Sequence, residues 1–192
     1  MPRADLSQHL VHWTKGADFD EAFDSLQSII AQRSIRGSSG AIRGEWRCIC
    51  FTEAPQDTFH QVIGKKYKPF GVQVPKSWLF GLGGRPAIYQ TSAEYDLLPD
   101  QLKWRHVRYE PNASPPIDFS WEREWRICAE SVTLEPATAH ILVPNESWAE
   151  RIICDHQEHE QEYIDRLASE YGEEYRMYPH EQFAFTYSAI DA

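Results

Sequence analysis

Phe70-Gly71-Val72-Gln73-Val74 decides the fold class. Phe70, Val72 and Val74 turn to one face and Gly71 and Gln73 to the other, which is the two-residue period of a strand. After it, Gly81, Gly83 and Gly84 make a turn before Pro86, and 87–91 reads as another strand. On the N-terminal side, 48–52 is a compact strand, and Val11-His12-Trp13 looks strand-like before the loop into the first helix. That helix starts at Asp18 and Glu21, close to a capping box, and sets Ala22, Phe23, Leu26, Ile29 and Ile30 on one face. The loop Arg36-Gly37-Ser38-Ser39-Gly40 ends it. Pro55 can open a short helix with Phe59, Val62 and Ile63 on its buried side. Further on, 104–110, 124–129, 139–143 and 183–187 read as strands, 111–120 as a Pro-rich loop, and 157–171 as a late helix. One helix, many strands, then a helix and a strand do not alternate as βαβ units. The expected class is therefore α+β rather than a doubly wound parallel sheet.

The chain has 192 residues, enough for one well-buried core and short for two domains, so a single domain over 1–192 is expected. Its net charge of −10 argues against non-specific nucleic-acid binding, which draws on Lys and Arg. The clusters Lys65, Lys66, Lys68 and Arg105, Arg108 read as solvated edges. No secretory leader pattern opens the sequence and no run of about 18 apolar residues occurs, so a cytoplasmic protein with no membrane partner is expected. In that compartment Cys48, Cys50, Cys128 and Cys154 are reduced, and Cys48 and Cys50 share a strand face as small apolar residues.

Two segments carry candidate chemistry. In His12-Trp13-Thr14, an extended backbone sends His12 and Thr14 to one face, offering a donor and acceptor pair for an amide or ribose hydroxyl. An ordinary histidine in an N-terminal strand explains the same residues. In Trp121-Glu122-Arg123-Glu124-Trp125-Arg126, an extended backbone puts Glu122, Glu124 and Arg126 on one face and Trp121, Arg123 and Trp125 on the other. A guanidinium beside carboxylates favours their charged form, and a carboxylate can stabilise positive charge developing on a sugar. An exposed strand with salt-bridged charges fits equally. Tyr89 can present its ring to a planar ligand or serve as an edge tyrosine. Cys154, Asp155, His156, His159 and Glu160 have the look of metal ligands, but no second ligand pair is well placed and no metal is expected. There is no G-x-G-x-x-G after a strand, no Walker A loop at Leu82-Gly83-Gly84-Arg85 and no G-x-S-x-G elbow.

The order His12-Trp13-Thr14, Tyr89, Glu124 resembles the ADP-ribosyltransferase fold. Cys50-Phe51-Thr52-Glu53, Pro69-Phe70-Gly71-Val72, Pro86-Ala87-Ile88-Tyr89 and the Trp121–Arg126 hexapeptide make the chain similar to AbiGi-type abortive phage infection proteins, and the first motif resembles the start of DarT-type DNA ADP-ribosyltransferases. The resemblance implies a split, twisted β core with an N-terminal and a C-terminal helix, and NAD in the cleft between its halves. It assigns His12 and Thr14 to the nicotinamide-side ribose, Tyr89 to stacking on nicotinamide, Glu124 to the ribose 2′-hydroxyl and the oxocarbenium-like transition state, and Glu122 to orienting an acceptor. It implies an NAD-dependent transferase acting on a macromolecular acceptor as a bacterial toxin or phage-defence effector, with a cognate antitoxin or toxin as partner. The alternative is a non-catalytic binding protein on the same fold, an antitoxin or a nucleotide sensor.

Overall fold

The computed structural model describes residues 7–40, 42–54 and 63–190. The proposed helix after Pro55 lies outside these residues, apart from Ile63, which opens a 3-10 turn and is fully buried.

The architecture is α+β, as the order of helices and strands predicts. The strands are β1 (His9–Trp13), β2 (Ser34–Arg36), β3 (Cys48–Thr52), β4 (Gly71–Pro75), β5 (Arg85–Pro86), β6 (Ile88–Gln90), β7 (His106–Arg108), β8 (Glu124–Cys128), β9 (Ser131–Thr133), β10 (His140–Val143) and β11 (Thr186–Ala189). Seven of them form one sheet in the order β11-β10-β4-β1-β3-β8-β5, antiparallel except for the β10–β11 pair. β2 pairs with β9 and β6 with β7 in separate ribbons.

Helix α1 (Phe19–Gln32) begins as the D-x-x-E signal predicts. Asp18 accepts the Glu21 amide at 2.9 Å, and the Glu21 carboxylate reaches back to the Ala17 amide at 2.8 Å. Its end differs from expectation. Arg33 turns left-handed at φ 45° and the chain enters β2 at once, so the helix stops short of the loop expected at 36–40, and Arg36 of that loop is strand. Helix α4 (Glu146–Tyr171) begins eleven residues before the expected start at 157. Asn145 caps it by accepting the Trp148 amide, an acceptor at the N-cap that satisfies an orphan donor. Short helices α2 (Lys76–Gly81) and α3 (Asp100–Lys103) occupy stretches expected as turn or not assigned, and the strand expected over 104–110 shrinks to β7. The strand expected over 87–91 is found as β6, with β5 as a separate strand just before it, and the last strand starts three residues later than the expected 183.

The core lies between one sheet face and the two long helices. Leu10, Ile49, Phe51, Val72, Val74, Trp125, Ile127 and Ile141 meet Ala22, Phe23, Leu26, Ala149 and Ile152. Phe23 and Phe70 pack on the Trp148 ring at centroid distances of 4.9 Å each, which fixes α1 and α4 over the sheet. Gly71 lets β1 and β4 close up, since a Cβ there would meet Trp13 and Val11 side-chain atoms at 2.9 Å.

The middle of the sheet is its least paired joint. β1 runs in register with β4 over five residue pairs, from His9–Pro75 to Trp13–Gly71. On its other side it pairs with β3 at Val11–Thr52 alone. The strands then part towards the His12 end of β1. Among the described residues no helix is long and apolar enough to cross a membrane.

Candidate functional site

The parting of β1 from β3 opens a cleft of two adjoining chambers, of about 290 and 300 Å³. Lys15, Ile42, Cys50, Tyr67, Glu122 and Glu124 line both. His12 and Thr14 border the first chamber, and Arg126 borders the second. The two segments singled out in the sequence therefore meet at one place.

Strand parity alone does not bring them there. Thr52 lies opposite both Val11 and Glu124, so Glu124 shares a sheet face with Val11, while His12 takes the other face. The gap between the strands is what lets both border the same space. His12 fills part of that gap. Its Nδ1 is 2.8 Å from the Cys50 carbonyl, which lacks a β1 backbone partner where the strands part. A carbonyl only accepts, so Nδ1 carries the hydrogen and Nε2 is the acceptor of the neutral ring. Burial pushes the imidazole below its ordinary value of 6.5, opposed by the Cys50 hydrogen bond, with the nearby Lys15 charge adding to the fall.

This shift has a sign that can be tested. Well above pH 6.5 the ring is neutral in folded and unfolded chains alike, and stability is unaffected. As the pH falls through that value the unfolded chain takes up a proton that the folded one resists, so stability drops until the pH has passed the lower folded pKa. His140 is lowered too, by burial and then by the His9 charge, and contributes in the same direction. Urea denaturation between pH 5 and pH 8, at roughly 0.5-unit steps, should show a decline that is shallower in His12→Gln. An unchanged slope in that variant would show that His12 is not the group responsible.

The hexapeptide is not extended throughout. Ser120–Glu122 forms a 3-10 turn, and Arg123 is left-handed at φ 45° before β8 begins at Glu124. The expected alternation holds from Glu124 onwards, with Glu124 and Arg126 on the cleft side and Trp125 in the core. Glu122 reaches the cleft by the turn instead. Its buried carboxylate accepts from Lys66 Nζ at 2.6 Å and from the Tyr67 hydroxyl at 3.0 Å. Its carbonyl accepts the Thr52 hydroxyl, which fastens the turn to β3. Glu124 is gripped by Arg126, through Nε at 2.8 Å and Nη2 at 3.3 Å. Arg126 Nη1 donates to the carbonyls of Trp104 and His106 at 3.0 and 2.8 Å. A carboxylate has about four lone-pair positions, so this grip leaves Glu124 capacity to accept from a ligand hydroxyl.

Thr14 and Tyr89 are committed to the protein. The buried Thr14 hydroxyl lies 2.8 Å from the Ala22 carbonyl and 3.2 Å from that of Phe70, tying the end of β1 to α1 and β4. The Tyr89 hydroxyl accepts the Glu124 amide at 2.8 Å, and its ring borders neither chamber. Tyr89 thus positions Glu124 from behind.

Sequence reasoning missed the charge of the cleft. Lys15, Arg36, Arg43, Lys66, Arg108 and Arg126 border its chambers against the two carboxylates Glu122 and Glu124, in a chain of net charge −10. Lys66 and Arg108 belong to the clusters expected as solvated edges. Lys15 and Arg36 make no ion pair among the described residues. Tyr67 and Phe119 add ring faces, with Lys66 Nζ at 5.1 and 5.4 Å from their centroids.

A larger cavity of about 560 Å³ lies between α1, α4 and the segment 181–185. Its His156 is bonded to the Glu181 carbonyl and its Glu160 accepts the Glu181 amide, so these side chains hold the C-terminal segment down. Among the described residues no group of three or more His, Cys, Asp or Glu side chains could hold a metal ion. The cleft is the better candidate because buried charges converge there, with Glu122 at 3% and Arg126 at 4% exposure. Comparison of the chain with protein-family models, with curated proteins and with solved structures found no match.

Proposed function

We propose that the chain is an NAD-dependent ADP-ribosyltransferase whose site is the cleft between β1 and β3. One observation carries this reading: His12, Glu122 and Glu124 border one cleft whose remaining charged side chains are all basic. A dinucleotide needs both parts of that arrangement. Its pyrophosphate favours a basic rim, for which Lys15 and Arg36 are available, and its ribose hydroxyls favour carboxylate and imidazole acceptors. Bound NAD would supply a labile bond from ribose to nicotinamide. Glu124, oriented by Arg126 and by the Tyr89 hydroxyl, would accept a ribose hydroxyl and stabilise the positive charge that grows on the sugar as that bond weakens. Glu122 would act towards an acceptor, though its carboxylate has first to exchange Lys66 or Tyr67 for it. The role of Thr14 is structural support of β1, and that of Tyr89 is to position Glu124.

A specific observation favours a second reading. Both carboxylates already have partners, Glu122 with Lys66 and Tyr67, Glu124 with Arg126. A nucleotide-binding protein without turnover, such as a sensor or antitoxin, would use the same basic cleft. The discriminating measurement is nicotinamide release from NAD over a panel of protein and nucleic-acid acceptors, alongside calorimetric titration with NAD. The transferase reading expects release and a Kd in the micromolar range, about −8 kcal/mol. Micromolar binding with no release over the panel supports the second reading, and absence of binding overturns both.

A further inference from the structure

Cys48 and Cys128 face each other on neighbouring antiparallel strands. They are directly opposite in the register of β3 with β8. The backbone amide and carbonyl of Cys48 both bond to Ser38, on the side away from β8, at 3.1 and 3.0 Å. Across to β8, the flanking Arg47 carbonyl accepts the Ala129 amide at 3.1 Å. Together these make Cys48–Cys128 a non-hydrogen-bonded pair, the position where antiparallel strands bring Cα atoms closest, to about 4.5 Å. That falls inside the span of roughly 4.4–6.8 Å that a disulfide bridges. Among the described residues the Cys48 thiol otherwise donates only to the Trp104 carbonyl, at 4.0 Å. Cys50, two residues along the same strand, is a poorer partner, since such neighbours lie nearly 7 Å apart with parallel side-chain directions.

Their exposure divides the work of oxidation. Cys128 is exposed to solvent and Cys48 is 2% exposed. An oxidant therefore meets Cys128 first, and Cys48 is placed to react only with what forms there. Burial, and next the neighbouring Cys128, push the Cys48 thiol up to about 12, which keeps it inert until such a partner appears.

We propose that Cys48 and Cys128 form a reversible dithiol–disulfide pair driven by a peroxide. Cys128 thiolate attacks one peroxide oxygen, the O–O bond breaks, and Cys128 becomes the sulfenic acid as hydroxide leaves and is protonated to water. Cys48 then attacks that sulfur and the S–O bond breaks. The hydroxide leaves with the Cys48 proton as a second water, so two thiols are oxidised by one peroxide. The bond staples β3 to β8 at the end remote from Glu124, at Cys48, a residue that borders the first chamber. In a reducing compartment such a pair would form transiently and act as a redox sensor.

The test is independent of any transferase activity. The reduced protein is treated with stoichiometric hydrogen peroxide, alkylated, and mapped by non-reducing peptide mass spectrometry. The expected product is a Cys48–Cys128 linked peptide, lighter by two hydrogens than its parts and cleaved by dithiothreitol. The exposed variant Cys128→Ser should fold and lose the link, while Cys154→Ser retains it. Cys128 accumulating as sulfinic acid with Cys48 still alkylatable would overturn the proposal, as would a link from Cys48 to Cys50.

Discussion

Replacing Arg126 by Met is expected to cost the fold about 3–5 kcal/mol, the range for removing one partner of a buried ion pair. For a domain of this size that is a fall in Tm of roughly 6–20 °C. The size of the effect follows from what the guanidinium holds. It grips Glu124 through two nitrogens and donates to the carbonyls of Trp104 and His106 with the third. Its side chain is 5% exposed and that of Glu124 is 11%, so neither charge is solvated well when left alone. Met fills similar space but satisfies none of the four acceptors. Thermal and urea melts read the loss directly. A cost below about 1 kcal/mol would mean that the pair behaves like a surface one, and the picture of a rigidly held Glu124 would go with it.

Glu124→Gln should lower nicotinamide release by about 100–1,000-fold, the usual effect of removing one preorganised electrostatic partner of the transition state. The amide still accepts one hydrogen bond from Arg126, so the stability cost should be smaller, about 1–3 kcal/mol. Loss of activity could then be blamed on a loosened fold. The double variant Glu124→Gln with Arg126→Met separates the two effects. It contains no buried charge at this point, so much of the stability lost in Arg126→Met should return. Activity should not return with it. Recovery of release in the double variant would remove Glu124 from the chemistry and leave the ion pair as architecture.

The strands were legible because each is buried on one face and wet or polar on the other, so a period of two survives in the residues. The parity of Glu124, Trp125 and Arg126 came through for that reason. The start of α1 was legible because Asp18 and Glu21 cap it with side chains. Other features left weaker marks. Asn145 also caps its helix, but the first turns of α4 bury little beyond Ala149 and Ile152 among charged neighbours, so the apolar stripe is thin. α2 has six residues, too few to display a helical period. The left-handed turn at Arg123 has no residue signal, since arginine is not a usual occupant of that conformation. The basic rim was hidden more deeply. Arg36, Lys66 and Arg108 lie far apart in the chain and become neighbours of one cleft only through the order of the strands.

The single pairing of β1 with β3 has a mechanical meaning. Hydrogen-bonded ladders resist in-plane shear, so β11-β10-β4-β1 and β3-β8-β5 each act as a stiff plate. Their ladders meet at one residue pair, beside which the His12 imidazole is clasped to the Cys50 carbonyl and Lys76, just after β4, pairs with Glu53, just after β3. The sheet is thus two panels with a crease, and the crease runs along the line where His12 and Glu124 face the same space. Whatever sits there is held between two hydrogen-bonded walls whose ladders join at a single residue pair.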